Sequence, residues 1–396
     1  MTKIKFLNYF LLFICLITVF LLFRQCVSKA KSRYNAFEWN AGWSAPKYYG
    51  AAPMLVEFFY KGQSIAGTSA NIGADPGWGI TSGGYTGGDI YKDVPDSIYV
   101  KWLCSTDGYY YEGGRKLPRE KMLNLFKEKT IDAYTGAKAD YSLIVAGMAP
   151  GGNVTIWMQG ATTNKEIIKF KVANKGVWME NDQEYQKGEK ETAMSKDFIN
   201  SEANIFRNLH GIPYSVWEKG EKEYNYDIGF SSTKDLDSLF SIAITGLTKD
   251  GSYVYSDSKD LLKFNEKHKI SPKKLPVQFS IRWISNDKRD WYEAFVVLPQ
   301  NLPTVLNDFE KKNGINTKIV LTVDQKNEND DSNYGKIFLQ SSNEKMEIMK
   351  FRLAKFNFKT KTFNVSKYSL PKGFIFPKWE GREKLTSPEI DYWQEK

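Results

Sequence analysis

Pro95-Asp96-Ser97-Ile98-Tyr99-Val100-Lys101-Trp102, followed by Tyr110-Tyr111-Glu112 and Leu117-Pro118, has a second version further along the chain. That version reads Pro276-Val277-Gln278-Phe279-Ser280-Ile281-Arg282-Trp283, then Trp291-Tyr292-Glu293 and Leu298-Pro299. The spacing is kept as well as the residue type: 283 − 102, 293 − 112 and 299 − 118 all give 181. In each version, alternating residues up to the tryptophan predict a strand, and the aromatic-Glu run predicts its hairpin partner. Leu117-Pro118 then opens a helix, with Pro118 near the first turn, where a missing N–H costs nothing, and Leu298-Pro299 repeats the pattern. Met122, Leu125 and Phe126 follow at helical spacing and are expected in the core.

The flanks repeat too. Strands are expected over residues 37–43 and 55–60, then 141–148, 153–159 and 165–173, with counterparts over 224–231, 240–247, 315–323, 336–340 and 346–354. Trp217-Glu218 recurs as Trp379-Glu380. The expected class is therefore α+β, two tandem repeats of a mainly antiparallel sheet with one helix each. The expected units are an N-terminal membrane or signal segment over 1–33, a first repeat over 34–222 and a second over 223–396. Residues 174–222 are charged and weakly periodic, which suggests an exposed excursion. The glycine-rich stretch 73–88 lies only in the first repeat. No Gly-Lys-Ser/Thr follows it, so a phosphate-cradling loop is not indicated. An exposed loop presenting Trp78 and Tyr85 to a partner is the expectation there, set against Trp78 folding back to cap the sheet.

The chain has 396 residues, 42% hydrophobic and 15% aromatic, enough for packed cores in two domains. Its net charge of +9 is dispersed, without the basic run that would indicate nucleic-acid binding. Residues 6–23 are almost wholly apolar after Lys3 and Lys5. This length matches a short membrane-spanning helix of about 17–25 residues and exceeds the usual apolar core of a cleaved signal. A retained anchor is expected, with the body outside the cytoplasm, in the periplasm. Cleavage near Ser28 and Ala30, or lipidation at Cys26, are the alternatives; Phe23-Arg24-Gln25 is a poor lipidation context.

Chemistry is sparsely marked. Only His210 and His268 exist, without metal-ligand spacing, so no metal and no cofactor are expected. Cys104 sits in an apolar strand and reads as a buried small residue. Glu112 and Glu293 are the best paired carboxylates, but they occupy equivalent positions in two repeats. Equivalent positions share a structural job, and Lys101 opposite Glu112 in the hairpin supplies one. Trp102, Tyr111, Glu112, Pro118, Trp283, Tyr292, Glu293 and Pro299 are thus read as a structural motif, and no catalytic residue is assigned.

Ala41-Gly42-Trp43-Ser44-Ala45-Pro46, Gly77-Trp78-Gly79, Lys101-Trp102, Tyr110-Tyr111-Glu112, Leu117-Pro118 and Gly147-Met148-Ala149-Pro150-Gly151-Gly152 together carry a resemblance. They resemble an uncharacterised family of bacterial envelope proteins, many of them lipoproteins, known as domain of unknown function 2931. The second repeat is a divergent copy without the Gly-Trp-Gly loop or the Ala-Pro-Gly-Gly turn. The resemblance implies location and architecture. The expected function is a non-enzymatic, membrane-anchored envelope protein that binds another protein, with toxin immunity as an analogy. The alternative is a carbohydrate- or peptidoglycan-processing enzyme or a glycan-binding module.

Overall fold

The computed structural model describes residues 11–22, 35–68, 73–82, 89–132, 135–232, 239–257, 271–285, 290–326 and 333–368. Residues 11–22 form a helix, α1, whose large apolar side chains are exposed. Among the described residues no helix is long and apolar enough to cross a membrane. The spanning helix expected over residues 6–23 is thus found only as this shorter segment; the rest of that stretch lies outside the described residues.

The first half contains β1 (Ala36–Glu38), β2 (Asn40–Ser44), β3 (Ala51–Tyr60), β4 (Gln63–Thr68), β5 (Tyr91–Asp93), β6 (Ser97–Cys104), β7 (Tyr109–Lys116), α2 (Arg119–Glu128), β8 (Thr130–Ile131), β9 (Lys138–Ala139), β10 (Leu143–Ala149), β11 (Asn153–Gln159), β12 (Asn164–Lys171) and β13 (Ala173–Val177). Four helices follow: α3 (Gln183–Met194), α4 (Lys196–Ile199), α5 (Glu202–His210) and α6 (Tyr214–Lys219). The second half contains β14 (Glu223–Ser232), β15 (Leu239–Thr248), β16 (Tyr253–Asp257), β17 (Ser271–Lys274), β18 (Pro276–Ser285), β19 (Trp291–Val297), α7 (Leu302–Asn313), β20 (Thr317–Lys326), β21 (Asn333–Gln340), β22 (Lys345–Asn357) and β23 (Thr362–Phe363).

The first half is not one sheet. Strands β13-β7-β6-β3-β4 form one sheet and β12-β11-β10-β2 another, with β2 and β10 parallel. The two share a core that includes Trp39, Phe58, Trp102, Ile144 and Ile156, closed by α2 through Met122, Leu123 and Phe126. In the second half the order β16-β15-β18-β19-β22-β21-β20-β14-β17, with β23 paired to β22 off this path, makes a single ten-stranded, barrel-like sheet around one core. There α7 buries Leu302, Leu306 and Phe309, and β14 lies parallel to β20.

One turn accounts for the break in the first half. In the second half β22 is 13 residues long and pairs with both β21 and β19. In the first half the chain is interrupted at Val172, between β12 and β13, where the Ala149-Pro150-Gly151-Gly152 turn presses in. Val172 N donates to Gly152 O at 3.0 Å. A Cβ on Gly152 would lie 2.5 Å from Val172 O, and the residue has φ 75°, so only glycine fits. Asp107 holds the turn, accepting from Gly151 N at 3.0 Å and from the Tyr111 hydroxyl at 2.7 Å.

The two hairpins of the repeated block share their register. Lys101 faces Glu112 and Trp102 faces Tyr111; Arg282 faces Glu293 and Trp283 faces Tyr292. A β-bulge falls between Ile156 and Trp157 in one half and between Ile337 and Phe338 in the other.

Candidate functional site: the junction of the two halves

The glycine-rich loop does not present Trp78 to solvent. Trp78 is 7% exposed and packs edge-on against Trp157, ring centroids 4.9 Å apart. This corrects the expectation of a partner-binding aromatic; Tyr85, its companion, lies outside the described residues. The family-like motifs explain the burial. Ser44 Oγ donates to Gly77 O at 2.9 Å and accepts from Gly79 N at 3.1 Å. Asn164 Nδ2 and Gln159 Nε2 both donate to Gly79 O. Gly147 leaves the room for the rings, since a Cβ there would sit 2.3 Å from Trp157 and 2.8 Å from Trp78.

The loop docks on the second half. The turn between β15 and β16 accepts from Trp78 N at 2.9 Å and from Lys47 N at 3.1 Å, both at Gly251 O. Trp217 Nε1 donates to the neighbouring Asp250 O at 2.9 Å. Gly251 has φ 79°, and a Cβ on it would lie 2.7 Å from Lys47 N. Inside the turn, Asp250 accepts from Thr248 Oγ1, Ser252 N and Ser252 Oγ and pairs with Lys274. Burial works to raise its pKa, but Lys274 and these donors outweigh it and hold the carboxyl below the usual range.

Residues 174–222 are not simply an exposed excursion. Helix α3 buries no side chain, but α5 is buried from Asn204 through Leu209. Ser201 caps α5 through a bond from Asn204 N at 3.2 Å. Phe206 packs against Tyr48 and Tyr49 of the first half, and Arg207 Nε donates to Tyr48 O at 2.7 Å. One apolar cluster joins Tyr49, Trp78, Phe206 and Trp217 to Leu247 of β15.

Where this segment meets the second half there is a cleft of about 650 Å³. Its aliphatic wall is Leu209, Leu275, Val277, Leu298 and Leu302, with Pro276, Pro299 and Pro303 between them. His210, Glu221, Lys222 and Lys249 form its polar end, beside Tyr224. The buried His210 Nε2 and Glu221 Oε2 have no hydrogen-bond partner. Burial pushes Glu221 up to about 7, with Asp250 adding and Lys274 opposing. Burial pushes His210, tilted against the Phe206 ring, down to about 3, against the pull of Gln278.

Residues 26–215 match the family model described as Protein of unknown function (DUF2931). The match takes in the first half and the chain as far as α6. No curated protein and no solved structure matches the chain.

The remaining candidates sit apart from the cleft, with one exception. Glu112 accepts from the Tyr99 hydroxyl, which leads in lowering its pKa, and pairs with Lys101 at 3.8 Å. Glu293 is closed in by Arg282 at 2.9 Å, Trp291 Nε1 at 3.1 Å and Lys367 at 2.5 Å. Trp102 stacks on Tyr111 and Trp283 on Tyr292 inside the two cores. Pro118 precedes α2, whereas Pro299 reaches the cleft wall. Cys104 is 1% exposed and burial raises its thiol pKa well above the ordinary value. Among the described residues no group of three or more His, Cys, Asp or Glu is placed to hold a metal ion; His268 lies outside them. The sequence marks neither Glu221 nor Asn204 as a site residue, and it shows Gly251 only as part of a turn. The one local signal was the Asp250-Gly251 turn.

Proposed function

We propose that the protein is a non-enzymatic binding protein of the bacterial cell envelope, attached to the membrane by its N-terminal segment, with its ligand seated in the junction cleft. The observation that carries this is the cleft itself. It has the size of small-ligand sites, about 300–1,000 Å³, and lies between two structural units, where such sites concentrate. Its buried His210 Nε2 and Glu221 Oε2 are unpartnered, and groups of that kind are costly unless something satisfies them. A folded protein partner, the expectation from sequence, would enter it only with a side chain or short segment. Membrane attachment is supported by the apolar, exposed face of α1. Native mass spectrometry of the full chain, released from amphipol, tests the reading. Wild type should carry a bound small mass, and Gln300→Trp, at an exposed position on the rim, should lose it. An identical spectrum for both proteins would overturn it.

We further infer that the two halves descend from a tandem duplication. The supports are the offset of 181 residues in the sequence, the shared strand order, the matching hairpin registers and the β-bulge at equivalent positions.

A second reading, an envelope carbohydrate-processing enzyme, is favoured by one feature. Glu221 and Asp250 are neighbours whose pKa values are pushed in opposite directions, as in acid–base pairs. Against it, the Asp250 carboxylate is already occupied by Lys274, Thr248 and Ser252. Loss of peptidoglycan hydrolysis in Glu221→Gln, from a wild type that hydrolyses it, would favour the enzyme.

A further inference from the structure

We propose that the junction cleft takes a single-chain anionic amphiphile, its aliphatic chain along the Leu298–Pro303 side and its carboxylate at Lys222 and Lys249. The proposal rests on the reading of this cleft as the binding site and names the ligand class.

Three features select that chemistry. The wall is aliphatic: Leu209, Leu275, Val277, Leu298 and Leu302 line it, and among the described residues only Tyr224 and the His210 imidazole add rings. Sugars and nucleobases are held largely on aromatic platforms, which this wall does not offer, whereas a hydrocarbon chain gains from every methylene buried, about 0.8 kcal/mol each. The titratable groups gather at one end, and the uncharged Gln300 lies on the Leu298–Pro303 side. Glu221 and Lys222 are adjacent in sequence, and Lys249 acts electrostatically on both His210 and Glu221. The charge at that end favours an anion. Neither Lys222 nor Lys249 has an ion-pair partner among the described residues, and Lys222 instead lies over the Tyr224 ring at 4.4 Å. Lys274, close by, is paired with Asp250. A carboxylate head meets two unpaired ammonium groups, and its oxygens lie within the same polar end as the unpartnered His210 Nε2 and Glu221 Oε2. A cationic head would meet two like charges, with Glu221 and, beyond Lys222, Glu310 as the nearby carboxyl groups.

The test uses the full chain in amphipol and palmitic acid carrying a photoreactive diazirine on its chain. After irradiation, labelled peptides are mapped. Label is expected in peptides covering residues 209–224 and 298–303, displaced by excess palmitate and not by hexadecanol or maltose. Lys222→Glu with Lys249→Glu should cut the displaceable label at least tenfold while the far-ultraviolet circular dichroism stays unchanged. Label on residues 6–23 that palmitate does not displace is set aside as nonspecific. Displacement by hexadecanol as effective as by palmitate would overturn the anionic head. Absence of displaceable label at the cleft would overturn the ligand class. In that second case native mass spectrometry separates the two claims: a bound mass lost in Gln300→Trp leaves the cleft as the site, and no such mass removes both.

Discussion

His210 and Glu221 line the same cleft and titrate with opposite consequences. His210 is held at about 3 against an ordinary 6.5, so below pH 6.5 the unfolded chain takes up a proton that the folded chain refuses. Its contribution to stability is lost as pH falls from 6.5 towards 3. Glu221 is held at about 7 against an ordinary 4.5, so between those values the folded chain keeps a proton that the unfolded chain has released. Its contribution, complete below 4.5, is lost as pH rises through 7. Between pH 4.5 and 6.5 the two slopes oppose. Replacing His210 by Gln should therefore expose a fall in stability with rising pH across that window, approaching 1.4 kcal/mol per pH unit relative to wild type. Denaturant titrations at a series of pH values would read it, and parallel profiles for the two proteins would contradict it. Trp78 makes a second prediction at this scale. Buried against Trp157, it should cost about 3–5 kcal/mol of stability when replaced by Ala, seen in thermal or chemical melts. A change within 0.5 kcal/mol would mean that the ring is not packed as described.

Among the elements, the hairpin of the repeated block and the helix after Leu-Pro were legible in the sequence. Their information is local: alternation before Trp102 and Trp283, and apolar spacing in α2 that brings Met122 and Phe126 to the core. Trp78 was not legible, because its cover comes from Trp157 on β11 and from the space left by Gly147 on β10, far away in the chain. Nor was α5. It is nine residues long, and its buried face includes Asn204, Arg207 and Asn208, polar residues that no apolar period would flag. Their burial is made possible by local and long-range bonds, Asn204 Nδ2 to Ile199 O at 2.8 Å and Arg207 to Tyr48 O. The Ala-Pro-Gly-Gly turn gives a prediction for the sheets. Gly152→Val should force the turn away from Val172 O and cost at least about 1–3 kcal/mol through backbone strain alone. Hydrogen exchange should then quicken at the end of β12 and the start of β13. Unchanged protection there would show that the turn does not set the break.

For the molecule as a whole, the two halves are joined by a few directed bonds on an apolar seam. Gly251 O receives Trp78 N and Lys47 N, Trp217 reaches Asp250 O, and α5 fills the space beside Tyr48 and Tyr49. The cleft was illegible in the sequence because its lining is assembled from the connecting segment and from distant parts of the second half. Leu209 and His210 come from the connecting helices, and Leu275, Leu298 and Leu302 come from the second half. Cutting the chain between Lys222 and Glu223 would therefore uncover Phe206, Trp217 and Leu247, and the separate halves should melt at lower temperature than the intact chain. The most direct test of the junction is hydrogen exchange on the full chain carrying Gly251→Val. A side chain at φ 79°, with its Cβ against Lys47 N and Pro46, should prise the turn out of its seat. The predicted result is faster exchange on both sides of the junction, in residues 73–82 and 202–220 as well as 248–252, with β18 and β19 unaffected. Faster exchange confined to residues 248–252 would contradict the account, because the halves and their cleft would then be held together by something other than this turn.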